Sequence, residues 1–155
     1  MIALFAARNA GIAVPEEAIK KGIRFYEACR SPGGGFGYSS AGAPNLPRTA
    51  VGTLVYALAR EPETPEFKKT LDYLTVDLDH RDQSYPFYYE YYMAQALYQA
   101  VPEIWKEWDR RNVTYLESTQ QPEGNWRSNH GNTFSTAGAL LSLALNYRLL
   151  PIYER

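Results

Sequence analysis

The chain contains one short device used twice, and it restricts the fold more than any total does. Residues 31–38 read SPGGGFGY and residues 120–126 read QQPEGNW. Each is a polar turn with glycine that ends in a large aromatic ring, Phe36 in one and Trp126 in the other. Upstream, KKGIRFY from Lys20 and RRNVTYL from Arg110 match place by place: Lys20 with Arg110, Ile23 with Val113, Phe25 with Tyr115. Phe36 follows Phe25 by 11 residues, and Trp126 follows Tyr115 by 11. A third copy, KKTLDYL from Lys68, adds Lys68, Leu71 and Tyr73 at spacings of 48 and 42 residues. Its turn is worn: QSY brings Tyr85 one residue late, with no glycine. Self-similarity at such a period marks a repeat architecture, in which each unit buries its apolar side against its neighbours.

Each unit reads as helix, turn, helix. The first helix of each pair carries apolar residues at helical spacing: Ile19, Ile23 and Tyr26; Phe67, Leu71 and Leu74; Trp105, Trp108 and Leu116, with Asn112 in the same stripe. Its other face is rich in Lys, Arg and Glu. Pro15, Pro65 and Pro102, each followed by acid, mark the helix starts. The second helices, over 49–59, 88–100 and 135–147, are apolar on most sides and dense in small residues such as Ala50, Gly52, Ala94, Ala137 and Gly138. A helix with little polar face is buried on most sides. The expectation is therefore all-α: outer amphipathic helices over an inner layer of buried ones. Residues 3–11, with Gly11 closing the helix, read as the inner helix of a unit whose first half is missing. That makes roughly seven helices, and no stretch alternates at period two for long enough to need a sheet.

The 155 residues suit one domain. With 16 basic and 17 acidic side chains and no basic stripe, nucleic acid is not an expected partner. The single cysteine, Cys29, excludes an internal disulfide and a multi-cysteine zinc site. The apolar start, MIALFAARNAG, is too short to span a bilayer and has no A-x-A-like cleavage site after it. The compartment stays open. Thirteen tyrosines point to a wet cavity or an interface, because each phenol needs a partner when its ring is buried.

Gln121, Gly124 and Trp126 spell Q-x-x-G-x-W, which resembles the repeat motif of squalene and oxidosqualene cyclases. GGGFGY followed by TAVGTLVYAL resembles the glycine-rich repeat of protein prenyltransferase β subunits, and residues 133–155 resemble the end of bacterial proteins with prenyltransferase and squalene-oxidase repeats. The likeness runs over nearly the whole chain. It implies two layers of α/α hairpin repeats, half of an α/α toroid, in a single domain over 1–155 that is part of a larger protein or pairs as a homodimer. It also implies a structural clamp of Phe36, Gln121, Gly124 and Trp126: the Gln amide supplies an acceptor to the free N–H groups at the inner helix start, and the ring covers it. A generic helical array of the HEAT kind fits the repeat length as well, but gives no role to a Gly-x-Trp turn; tetratricopeptide repeats are too short.

The chemistry of that family is not repeated here. Where the cyclases carry Asp-x-Asp-Asp before an inner-helix Thr-Ala, this chain has Asn45, Leu46, Pro47 and Arg48 before Thr49-Ala50. Where prenyltransferases hold zinc, Pro86, Tyr88 and Phe134 stand, none of them a good zinc ligand. Asp77, Asp79, His80 and Asp82 form an acidic loop without the glycine and final glutamate of a calcium loop, so no metal site and no cofactor is assigned. No catalytic residue is assigned either, though His130, just before the last inner helix, is a candidate base. Candidate ligand contacts are Arg48, Tyr85, Tyr88, Tyr91, Tyr92 and Phe134, at the entrance ends of inner helices, with Glu90 as a partner for Arg48. The function expected is a non-catalytic repeat domain whose concave aromatic inner-helix face binds a ligand or partner, such as an apolar or isoprenoid small molecule. The alternative is a divergent isoprenoid-acting enzyme, a terpene cyclase or prenyltransferase-like one, whose catalytic groups lie on a missing part of the chain.

Overall fold

Proline and a short polar side chain set where these helices begin. A computed structural model describes residues 1–60 and 64–147. Among them are seven α-helices: α1 (Ile2–Asn9), α2 (Glu16–Cys29), α3 (Leu46–Ala59), α4 (Pro65–Leu74), α5 (Pro86–Ala100), α6 (Pro102–Thr119) and α7 (Asn132–Leu143). Asn45 caps α3 by accepting the Arg48 N–H at 3.0 Å, and Thr64 caps α4 by accepting that of Phe67 at 3.1 Å. Asp82 instead closes the turn ahead of α5, accepting the N–H groups of Ser84 and Tyr85 at 3.0 and 2.6 Å, and α5 has no side-chain cap. After α1, Gly11 donates to Arg8 and Ile12 to Ala7, the reversed pattern that closes a helix. The last inner helix ends sooner than its apolar run: α7 stops at Leu143, and Ala144–Tyr147 form a 3₁₀ turn. The C-terminal resemblance from 148 to 155 lies outside the described residues.

The inner helices are α3, α5 and α7. Helix α5 packs between the other two, α4 lies on α3, and α6 lies on both α5 and α7. This is a stacked-hairpin arrangement. Burial separates α3 and α5 from α2 as their sequences do, with eight and nine residues buried against two. Helix α7 departs from the expectation, with three residues buried and Leu140 exposed, because α5 covers one side of it and no further inner helix covers the other among the described residues. Leu54, Leu74, Met93, Leu97, Trp108 and Leu145 make the main core with Ala50, Ala94 and Ala96 as its close-approach points. Each large apolar side chain buried this way contributes about 1.5–3 kcal/mol. The polar Asn112 in the apolar stripe of α6 has a reason: its amide donates to Ser142 of α7 at 3.2 Å, tying the last hairpin together.

The two turns of the repeat are the same object in hydrogen bonds. In one, Ser31 donates to Gly35 and Gly34 to Ser31; in the other, Gln121 donates to Asn125 and Gly124 to Gln121. The next N–H, of Phe36 or Trp126, goes to a threonine hydroxyl on the inner helix: Thr49 at 3.0 Å and Thr136 at 3.2 Å. Three residues beyond each threonine sits a small residue beneath the ring. Gly52 has no room for a Cβ against the Phe36 ring, which it would meet at 2.7 Å, and Ala139 packs with Trp126. Phe36 joins α2, α3 and α4 through Cys29, Tyr56 and Phe67. Trp126 joins α5, α6 and α7 through Phe87, Leu116 and Ala139, and its indole N–H donates to the Leu116 carbonyl at 2.9 Å.

Three expectations are corrected here. The Gln121 amide turns the other way from the inner helix and donates to the Thr119 carbonyl at 3.1 Å, so it ties down the end of α6; threonine, not glutamine, links turn to inner helix. Tyr85 is not the worn counterpart of Phe36 and Trp126, being half-exposed at the start of α5. Seven residues past the end of its outer helix, where Phe36 and Trp126 stand in theirs, the middle unit has Arg81. Its guanidinium lies 4.6 Å over the Tyr115 ring of the next outer helix. Third, Glu90 pairs with this Arg81 at 3.5 Å and not with Arg48. Residue 90 lies two positions past the cleft-facing Tyr88 on α5, about 200° around the helix, so it faces the outer layer while Arg48 faces the other way. Arg81 and the buried Glu90 carboxyl thus occupy the seam that an aromatic plate fills in the other two units.

Candidate functional site

The entrance ends of the inner helices meet at one cleft. It is lined by Tyr38, Asn45, Pro47 and Arg48 from the first hairpin, Tyr85 and Tyr88 from α5, and His130 and Phe134 from the start of α7, and encloses about 390 Å³. A smaller hollow of about 160 Å³ adjoins it, walled by Phe25, Tyr26, Phe36 and Val51 among others. The two share Tyr38, Arg48 and Tyr88. Four of the six residues picked out as ligand contacts, and the candidate base, therefore come together: Arg48, Tyr85, Tyr88, Phe134 and His130.

Tyr91 and Tyr92 do not line the cleft. Tyr92 is one helical turn beyond Tyr88, with ring centroids 4.6 Å apart, and Tyr91 packs edge-on against it at 4.8 Å. They continue the aromatic surface along α5 toward its interior. Burial raises the pKa of Tyr88, and burial with the neighbouring Tyr88 and Tyr91 phenols pushes Tyr92 up to about 12. Burial raises Tyr26 as well. These walls stay neutral at physiological pH, offering ring faces and undissociated hydroxyls.

Sequence reasoning missed Tyr38. It is 82% exposed and overhangs both hollows. No signal in the sequence marks it: in an extended segment residues two apart share a side, which would put Tyr38 with the buried Phe36, and the bends that begin at 38 turn it outward instead. The backbone there is pinned from beneath, with Gly37 donating to the Cys29 carbonyl at 2.9 Å and the buried Cys29 thiol donating to the Tyr38 carbonyl at 3.9 Å.

His130 is held rather than poised. Its Nε2 lies 2.8 Å from the Ser84 carbonyl. A carbonyl only accepts, so Nε2 carries the hydrogen and Nδ1 is the open nitrogen. The ring stacks on Tyr85 at 4.9 Å with planes 13° apart, and meets Phe134 edge-on at 5.7 Å. His130 therefore fastens α7's entrance to α5's and forms part of an aromatic wall. The acidic loop is similarly occupied. Asp77 accepts the Asp79 N–H, Asp79 pairs with Arg111 at 2.6 Å, His80 lies edge-on to Tyr89, and Asp82 accepts the Tyr85 N–H just ahead of α5. Among the described residues no three His, Cys, Asp or Glu side chains gather as a metal-binding set, and no helix is long and apolar enough to cross a membrane.

No protein-family model, curated protein or solved structure matches this chain. The repeat and the cleft are the grounds for a functional reading.

Proposed function

We propose that this chain is a non-catalytic binding domain of α/α-toroid hairpin repeats, of the prenyltransferase and squalene cyclase kind, and that it takes an apolar small molecule on the concave aromatic face of its inner helices. One observation carries the reading: four separate segments, around 38, 48, 88 and 134, deliver aromatic side chains and one cation to a single cleft of about 390 Å³. That is within the roughly 300–1,000 Å³ of small-molecule sites, which combine apolar walls with few polar anchors. The enzyme alternative needs an acid or a metal set facing this cleft. Tyr88 and Phe134, at two of the positions where the resemblance implies zinc ligands, are cleft walls instead. The buried acid, Glu90, belongs to the Arg81 seam.

The test uses N-phenyl-1-naphthylamine, an uncharged aromatic probe whose emission rises in apolar surroundings. Saturable binding is expected, weakened about tenfold or more by Tyr88→Ala and unchanged by Val76→Ala, an exposed residue away from the cleft. Equal affinity in all three proteins sinks the cleft as the binding site. Turnover of farnesyl diphosphate by the unaltered chain, followed by diphosphate release, favours the enzyme alternative instead.

A further inference from the structure

We propose that the ligand of this cleft carries a single negative charge, a carboxylate or a sulfonate, seated on Arg48. The inference rests on the cleft being the binding site, and it adds the chemistry of the head group. Arg48 lies between the two hollows and lines both. Its Nε donates to the Phe36 carbonyl at 3.4 Å and its Nη2 to the Ala43 carbonyl at 2.5 Å. These bonds fix one edge of the guanidinium but do not neutralise it, because both acceptors are uncharged. Among the described residues no carboxylate comes within ion-pairing distance of Arg48, whereas Arg110, Arg111 and Arg127 each have one. Its Nη1 has no protein acceptor among them either. A guanidinium so oriented, with donors left over and apolar walls beside it, is a preformed anion anchor.

The number of charges follows from what else faces the cleft. Arg48 is the one lysine or arginine among its lining residues. His130 spends its Nε2 hydrogen on the Ser84 carbonyl. Asp82, the nearby acid in sequence, is committed to the N–H groups of Ser84 and Tyr85. One cation balances one anion. A diphosphate, with its two or three charges, is under-neutralised here, so the expected ligand departs from a prenyl diphosphate. Its apolar body rests against Tyr88, Tyr85 and Phe134.

The experiment compares two probes that share a fluorophore and differ by the anion: 8-anilinonaphthalene-1-sulfonate and N-phenyl-1-naphthylamine. The sulfonate is expected to bind about tenfold tighter or more. Arg48→Gln is expected to bring it to the affinity of the uncharged probe for that same variant, with an unaltered circular-dichroism spectrum showing that the variant is folded. Calorimetry on the unaltered chain with 2-naphthoate against 2-naphthamide makes the same comparison without a variant. Displacement of the sulfonate probe by farnesoate at lower concentration than by farnesyl diphosphate is the third expected result. Equal binding of charged and uncharged probes, a preference that survives Arg48→Gln, or stronger displacement by the diphosphate overturns the monoanion while leaving the cleft as a site. Binding of both probes that ignores Tyr88→Ala removes the cleft itself, and the anion inference falls with it.

Discussion

The most exacting prediction concerns Glu90. Its side chain is fully buried, Arg81 stands 3.5 Å away, and neither carboxyl oxygen accepts a hydrogen bond among the described residues. Burial outweighs the pull of Arg81 and raises the carboxyl from 4.5 to about 8. The folded chain therefore keeps a proton that the unfolded chain releases above pH 4.5. The sign follows: the protonated acid is fully accommodated below pH 4.5, and stability is lost as pH rises toward 8. Each pH unit within that window costs about 1.4 kcal/mol. From pH 5 to pH 8 the loss is on the order of 4 kcal/mol, a large part of the roughly 5–15 kcal/mol expected for a domain. At about 2–4 °C per kcal/mol for this size, Tm falls by about 8–16 °C over the same range. Glu90→Gln replaces the acid with a neutral group of nearly the same shape. The variant is expected to match the native chain at pH 5 and to exceed it at pH 8 by that difference. Thermal and urea melts followed by circular dichroism at pH 5, 6, 7 and 8 measure both proteins. Parallel curves, or a native chain that gains stability between pH 5 and 8 relative to Glu90→Gln, refute the reasoning and leave Glu90 ionised in the fold.

The repeat makes two paired predictions. Gly34 and Gly124 occupy the same turn position with φ of 97° and 84°, but a Cβ on Gly34 presses into the Lys69 backbone of α4 while one on Gly124 meets nothing within 4 Å. Gly124→Ala is expected to cost about 1 kcal/mol from backbone conformation alone, and Gly34→Ala at least twice that; equal urea midpoint shifts contradict the packing of the first turn on α4. Trp126→Phe keeps a ring over Ala139 but deletes the indole donor to Leu116, whose carbonyl keeps the Gln120 N–H, so it is expected to cost about 1 kcal/mol for the lost buried hydrogen bond and somewhat more for the smaller ring; an unchanged urea midpoint denies the hydrogen bond any role.

The outer helices were legible because their signals are local. Proline, acid and a stripe such as Phe67, Leu71 and Leu74 act within one helix. The shared device at 31–36 and 121–126 was legible because its backbone bonds close within a few residues. Its anchoring was not. Thr49 lies 13 residues past Phe36 and Thr136 lies 10 past Trp126, so unequal loops hide a common contact, and Gln121, beside the turn, drew the role of a residue farther along. The middle seam was opaque for a related reason. Arg81 and Glu90 replace an aromatic and a threonine with a guanidinium and a buried carboxyl, and that chemistry has no likeness to what it replaces. The binding residues divide on the same principle. Tyr88 and Phe134 stood out as aromatics at helix entrances, while assigning Glu90 to Arg48 required knowing which side of α5 each residue faces. Residue 88 faces the cleft and residue 90 the outer layer, about 200° away. That rotation separates the two chemistries of α5: neutral phenols toward a ligand, and a protonated acid toward the seam, so Glu90→Gln changes stability without touching the cleft.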